Sequence, residues 1–168
     1  MDLYEIKQQL PKFYSTNDQQ KFPFHNLSRN AEVVKATELL LAMEKVRDEK
    51  AEMVLTAAFF LHVGYKKHYA APQISSVEYL KDMLTRYEYS HKQILLISGM
   101  ILASGLPSSP QNLLEQIVCD ANYAFLGEHN YFNKSQLLRK ELIANGVILS
   151  DDAWLAYQIK MFNTHLYF

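Results

Sequence analysis

Apolar residues recur along most of the chain at spacings of three and four, the period of helices that bury one face. Leu3, Ile6 and Leu10 open the series, and Pro11 is expected to close that first short helix. Residues 12–24 are mostly polar with interspersed aromatics and read as a loop. A second helix is expected over about 25–45, with Val33, Val34, Leu39, Leu40 and Leu41 on a broad apolar face. Asp48 is a candidate cap for a third, over about 49–62, which is nearly apolar all round toward its end and therefore belongs at the centre of a bundle. It stops at His62-Val63-Gly64, where Gly64 can take a left-handed end conformation.

Punctuation sets the remaining elements. A fourth helix spans about 75–86, and Ser90 with Gln93 forms a capping box for a fifth over about 91–103. After the turn Gly105-Leu106-Pro107-Ser108-Ser109, Pro110 sits at the expected first position of a sixth helix that runs to about Phe125 and ends at Gly127. A seventh covers about 132–144 and finishes at Asn145-Gly146. Ser150 caps the last, whose Trp154, Tyr157, Ile159, Met161 and Phe162 are expected to dock on the bundle. The fold class is thus all-α, a bundle of seven or eight helices, with no convincing strand. No internal repeat or low-complexity stretch divides it, so residues 1–168 read as one domain.

Composition narrows the function classes. The 168 residues are 49% apolar and 21% charged, with a net charge of −1. That is the balance of a globular domain without an electrostatic footprint for nucleic acid or anionic lipid. Cys119, the single cysteine, excludes an intrachain disulfide; its apolar setting favours a buried, inert thiol. Neither a signal core nor an apolar stretch long enough to span a bilayer is written in the chain, so a cytoplasmic, membrane-free protein is expected.

Three segments carry the candidate chemistry: Phe24-His25-Asn26-Leu27-Ser28-Arg29, Ala57-Ala58-Phe59-Phe60-Leu61-His62-Val63-Gly64-Tyr65, and Cys119-Asp120-Ala121-Asn122-Tyr123-Ala124-Phe125-Leu126-Gly127. In order, spacing and apolar context they resemble the HD superfamily of metal-dependent phosphohydrolases. The relevant subfamily has a His-Asn-x-x-His helix, an apolar helix ending in His-Asp-x-x-Tyr, and an Asp-Ala-Asp segment followed by Leu-Gly. The likeness extends from His25 through Glu141 to the aromatic ending His165-Leu166-Tyr167-Phe168. In that family two His and two Asp side chains converge on a divalent ion, which activates water for attack on phosphorus.

The resemblance implies roles residue by residue, and also losses. His62 matches the His of the His-Asp pair, Asp120 the distal Asp ligand, and His25 the first His, which in some members protonates the leaving group. Arg29 stands where a ligand His is expected, and Val63 where the paired Asp is expected. Gln73 appears in place of a common Glu, and Asn122 in place of the second acid. Guanidinium has no lone pair to donate and repels a cation; valine has no donor atom. No metal cofactor is therefore expected, with His62 and Asp120 as residual ligand positions. If the fold is kept, Arg29 is expected to point at Asp120, with His62 nearby, so that its charge replaces that of the ion.

The resulting expectation is a degenerate HD-like domain without phosphohydrolase activity. It acts as a regulatory, ligand-binding or partner-binding module, with a phosphorylated small molecule or nucleotide contacted by Arg29, His25 and Lys66. The alternative is an active phosphohydrolase that holds a divalent metal with His25, His62 and Asp120, alone or with His68 or Gln73 swinging in. A third reading is a purely structural role in a homodimer or with a protein partner. On the bland view His25 is a helix-start residue bonded to backbone and His62 a satisfied core histidine. His68, His91, His129 and His165 have no ligand spacing and read as surface or packing residues. Ser75, Ser76 and Ser104 show no motif for nucleophilic catalysis.

Overall fold

The structure is a computed structural model that describes residues 3–14, 20–148 and 150–165. Its helices are α1 (Leu3–Tyr14), α2 (Leu27–Met43), α3 (Asp48–Phe60), α4 (Pro72–Arg86), α5 (His91–Ala103), α6 (Leu113–Tyr123), α7 (Tyr131–Ala144) and α8 (Asp151–Thr164). Short 3-10 turns, Val63–Lys66 and Ala124–Gly127, extend α3 and α6. No strand occurs among the described residues, so the all-α expectation holds. Residues 15–19 of the expected loop and 166–168 of the aromatic ending lie outside the described residues.

Side-chain caps start four of the helices. Asn26 accepts from the Arg29 N–H at 3.0 Å to open α2, and Ser150 accepts from the Ala153 N–H at 3.2 Å to open α8. Ser90 and Gln93 form a reciprocal capping box at α5. Asn112 accepts from the N–H groups of Leu114 and Glu115, both at 3.1 Å, and so starts α6. Pro110 therefore precedes the helix instead of occupying its first turn. Asp48 is the first residue of α3, not its cap; Arg47 holds that place without a side-chain bond. Pro11 lies inside α1, which continues to Tyr14. The extra turn is held because Phe13 packs edge-on against Phe60 (6.1 Å between ring centroids) and Tyr79 (5.6 Å).

Helix α3 is the axis of the larger core. Val54, Ala57, Ala58 and Phe60 have no exposed surface, and α2, α4, α5 and α6 contribute the buried partners around them. A second cluster joins Phe24, Tyr123 and Phe125 to Leu138 and Leu142 of α7 and to Trp154 and Met161 of α8. Of the residues expected to dock α8, Trp154 and Met161 are buried and Tyr157 is half-buried. Ile159 and Phe162 instead remain about half exposed, because Trp154 and Met161, seven apart, fix the inward face.

Gly64 does not end α3 in a left-handed conformation; it lies within the 3-10 turn. Its lack of a side chain serves close approach instead. A Cβ there would lie 2.0 Å from the Pro72 carbonyl oxygen and 2.4 Å from the Ser76 nitrogen. Ser76 Oγ accepts from the Gly64 N–H at 2.9 Å and donates to the Leu61 carbonyl at 3.2 Å, fastening the turn to α4. This contact positions the segment that carries His62 and Tyr65.

Candidate functional site

His25 sits at the entry to α2 and is held by Glu141 of α7, 116 positions further along the chain. The fully buried Glu141 carboxylate accepts from the backbone N–H groups of Phe24 and His25, both at 2.8 Å, and meets His25 Nδ1 at 2.5 Å. Tyr69 adds a fourth donor at 3.1 Å. Burial raises the Glu141 pKa, but the His25 ring and the two N–H bonds outweigh it and leave the carboxyl below its ordinary range. The Tyr65 ring stacks on His25 at 3.6 Å between centroids, and His62 lies edge-on at 4.9 Å.

On the other side of His62, the expected pairing is redrawn. His62 Nε2 meets Asn122 Oδ1 at 2.9 Å. Arg29, buried rather than turned to solvent, donates to the Asn122 carbonyl at 2.5 Å and reaches Glu32 at 3.4 Å. Its guanidinium also lies over the rings of Phe125 (4.9 Å) and Phe24 (5.4 Å). Arg29 thus makes no ion pair with Asp120. Asp120 instead lies 3.4 Å from His165 Nε2, and the His165 ring stacks on Tyr123. Helix geometry explains the exchange: residues two apart on α6 project from nearly opposite faces, so if Asn122 faces His62, Asp120 cannot.

Burial pushes His62 well below its ordinary pKa, and the like charges of His25 and Arg29 act in the same direction. A neutral imidazole results, with Nδ1 buried and without a hydrogen-bond partner among the described residues. Arg29 is itself lowered from its ordinary value by burial, against which Glu32 acts. Val63 is buried in the main core. Around His62 stand the Asn122 amide, the His25 ring and the Arg29 guanidinium, the last of which has no lone pair to give a metal. Among the described residues, no group of three or more His, Cys, Asp or Glu side chains is arranged to hold a metal ion.

A cavity of about 370 Å³ opens beside His25. Tyr65, Tyr69, Gln73 and Asn122 line it, together with Tyr157 and Lys160 of α8. Of the expected pocket residues, only His25 lines it. Lys66 is drawn over the Tyr14 ring at 5.9 Å, and Arg29 borders a separate cleft of about 80 Å³ with Glu32 and Lys134. Sequence reasoning missed Glu141, Tyr157 and Lys160. Glu141 had a readable signal, because Lys134, Ser135, Leu138, Glu141 and Leu142 fall on one buried stripe of α7.

No protein-family model, curated protein or solved structure matches this chain.

Proposed function

We propose that this chain is a degenerate HD-like domain that binds a ligand without hydrolysing it and serves a regulatory or recruiting role. The observation that carries this reading is the bracket around His62. Asn122 occupies its Nε2, and the Arg29 guanidinium is bonded to the backbone of the same residue. A divalent ion needs several lone pairs turned toward one point. Here one of the few candidates is bonded to an amide, and a permanent cation lies beside it. What stays in working order is the cavity, together with the His25–Glu141 pair that stiffens its wall.

The intact His25–Glu141 pair is also what favours the competing reading, an active phosphohydrolase. One experiment separates the two. The protein is purified without chelator, its metal content is measured by elemental analysis, and hydrolysis of p-nitrophenyl phosphate and bis-p-nitrophenyl phosphate is followed with added Mn²⁺, Mg²⁺ or Zn²⁺. The binding-module reading expects no stoichiometric metal and no metal-stimulated turnover in the native chain. It expects metal uptake when Arg29→His and Asn122→Asp are introduced together. Stoichiometric metal with turnover in the unaltered protein overturns it.

A further inference from the structure

The chemistry of the cavity beside His25 selects among ligands. Among the described residues Lys160 is the only Lys or Arg side chain on its wall, since Arg29 and Lys66 are turned elsewhere. Behind His25 stands the buried carboxylate of Glu141. A phosphate monoester would bring about two negative charges to a site with one ammonium. A carboxylate brings one. The remaining polar surface is neutral: the Gln73 amide and the Tyr157 hydroxyl make no hydrogen bond with a described residue, and His25 uses Nδ1 for Glu141 and keeps Nε2 available. The rest of the wall is mainly apolar, with Tyr65, Tyr69 and Tyr123 beside the aliphatic Leu106, Leu138 and Leu142, and a volume of about 370 Å³ is near the lower end of the ~300–1,000 Å³ range of small-molecule pockets.

Other hollows lack this combination. The cavity of about 530 Å³ between α1 and α4 offers chiefly the exposed i,i+4 pair of Asp82 and Arg86. The groove beside Met53 and Met100 is mainly apolar and has no aromatic side chain on its wall; of its polar residues, Asn112 and Glu115 are engaged with backbone N–H groups at the start of α6, which leaves Lys50.

We propose that the cavity beside His25 binds a compact aromatic monocarboxylate. Lys160 meets the carboxylate, Tyr65, Tyr69 and Tyr157 surround the ring, and Gln73 with His25 Nε2 takes a ring hydroxyl or N–H. This inference rests on reading the domain as a metal-free binding module.

The test is isothermal titration calorimetry of the full chain near neutral pH. The probes are 4-hydroxybenzoate and indole-3-acetate, against adenosine monophosphate, inorganic phosphate and the uncharged 4-hydroxybenzamide. At least one carboxylate should bind about tenfold more tightly than adenosine monophosphate or phosphate. Lys160→Met, at an exposed position that folding tolerates, should remove about that tenfold and leave the benzamide unaffected. Preferential binding of adenosine monophosphate or phosphate overturns the ligand class while the non-hydrolytic reading stands. So does failure of both carboxylates to bind, or an unchanged carboxylate affinity in Lys160→Met. Metal-dependent turnover of a phosphate ester overturns both readings.

Discussion

Replacing Glu141 tests the architecture of the site most directly. Its carboxylate is the common acceptor for the Phe24 and His25 backbone N–H groups, the His25 ring and the Tyr69 hydroxyl. In Glu141→Ala the two backbone donors and the ring lose their partner inside the protein, whereas Tyr69, at the cavity, can turn to water. An orphaned buried donor costs ~1–3 kcal/mol, and breaking a buried charged pair costs ~3–5 kcal/mol. The expected loss for Glu141→Ala is therefore about 4 kcal/mol, a large part of the ~5–15 kcal/mol that holds an ordinary domain together. With a urea dependence of ~1–3 kcal/mol per molar, the unfolding midpoint should drop by more than ~1 M. Glu141→Gln should cost less, ~1–2 kcal/mol, because one amide oxygen can still accept both backbone N–H groups. Its NH₂ then faces Nδ1 and drives the ring proton to Nε2. The pH dependence has a definite sign. Since the folded Glu141 pKa is depressed, its contribution is present above the ordinary carboxyl range and is lost as pH falls through the folded value. Glu141→Gln should flatten that acid limb. A Glu141→Ala protein within ~1 kcal/mol of the native one would refute the reasoning.

Gly64→Ala should destabilise by ~2–4 kcal/mol, because the added carbon meets backbone atoms of α4 that cannot swing aside; a thermal midpoint equal to that of the native protein would count against the close-approach account. Burial, with Asp120 next to it, pushes the Cys119 thiol up to about 12, so it should react with a thiol reagent only as fast as the chain unfolds. Native-state labelling at the rate of a free thiol would contradict this. His62 stays neutral in the fold while the denatured chain protonates near 6.5, so stability should decline below that pH by up to ~1.4 kcal/mol per unit. His62→Gln should reduce this slope in denaturation curves between neutral and mildly acidic pH; an unchanged slope would show that His62 is not the group responsible.

The helical frame was legible because its punctuation is local. The Ser90–Gln93 box, the Ser150 cap and Gly146 (φ +72°) at the end of α7 act within a few residues of themselves. At α1 tertiary packing decided the boundary, with Phe13 carrying the helix past Pro11, whereas at α6 the local Asn112 cap placed the start beyond Pro110. The site was legible as a set of segments but not in its pairings. Helix phase alone separates Asp120, which lies beside His165, from Asn122, which meets His62. Glu141 was hidden differently: among Arg139, Lys140 and Glu141 a carboxylate looks like ordinary surface charge. Only its phase relative to Leu138 marks it as buried. Lys160 carried no local signal at all, since its place on the cavity wall depends on how α8 folds back.

Trp154 is the sole tryptophan of the chain, and its ring lies parallel to that of Tyr157, 6.1 Å away between centroids. Tyr157 is also part of the cavity wall. The indole is therefore a single, uncontested fluorophore one ring removed from the site. Excitation energy absorbed by the tyrosines around the cavity drains toward it. Emission from this one side chain reports on the packing of α8 against the rest of the molecule, and hence on the state of the cavity, without any label.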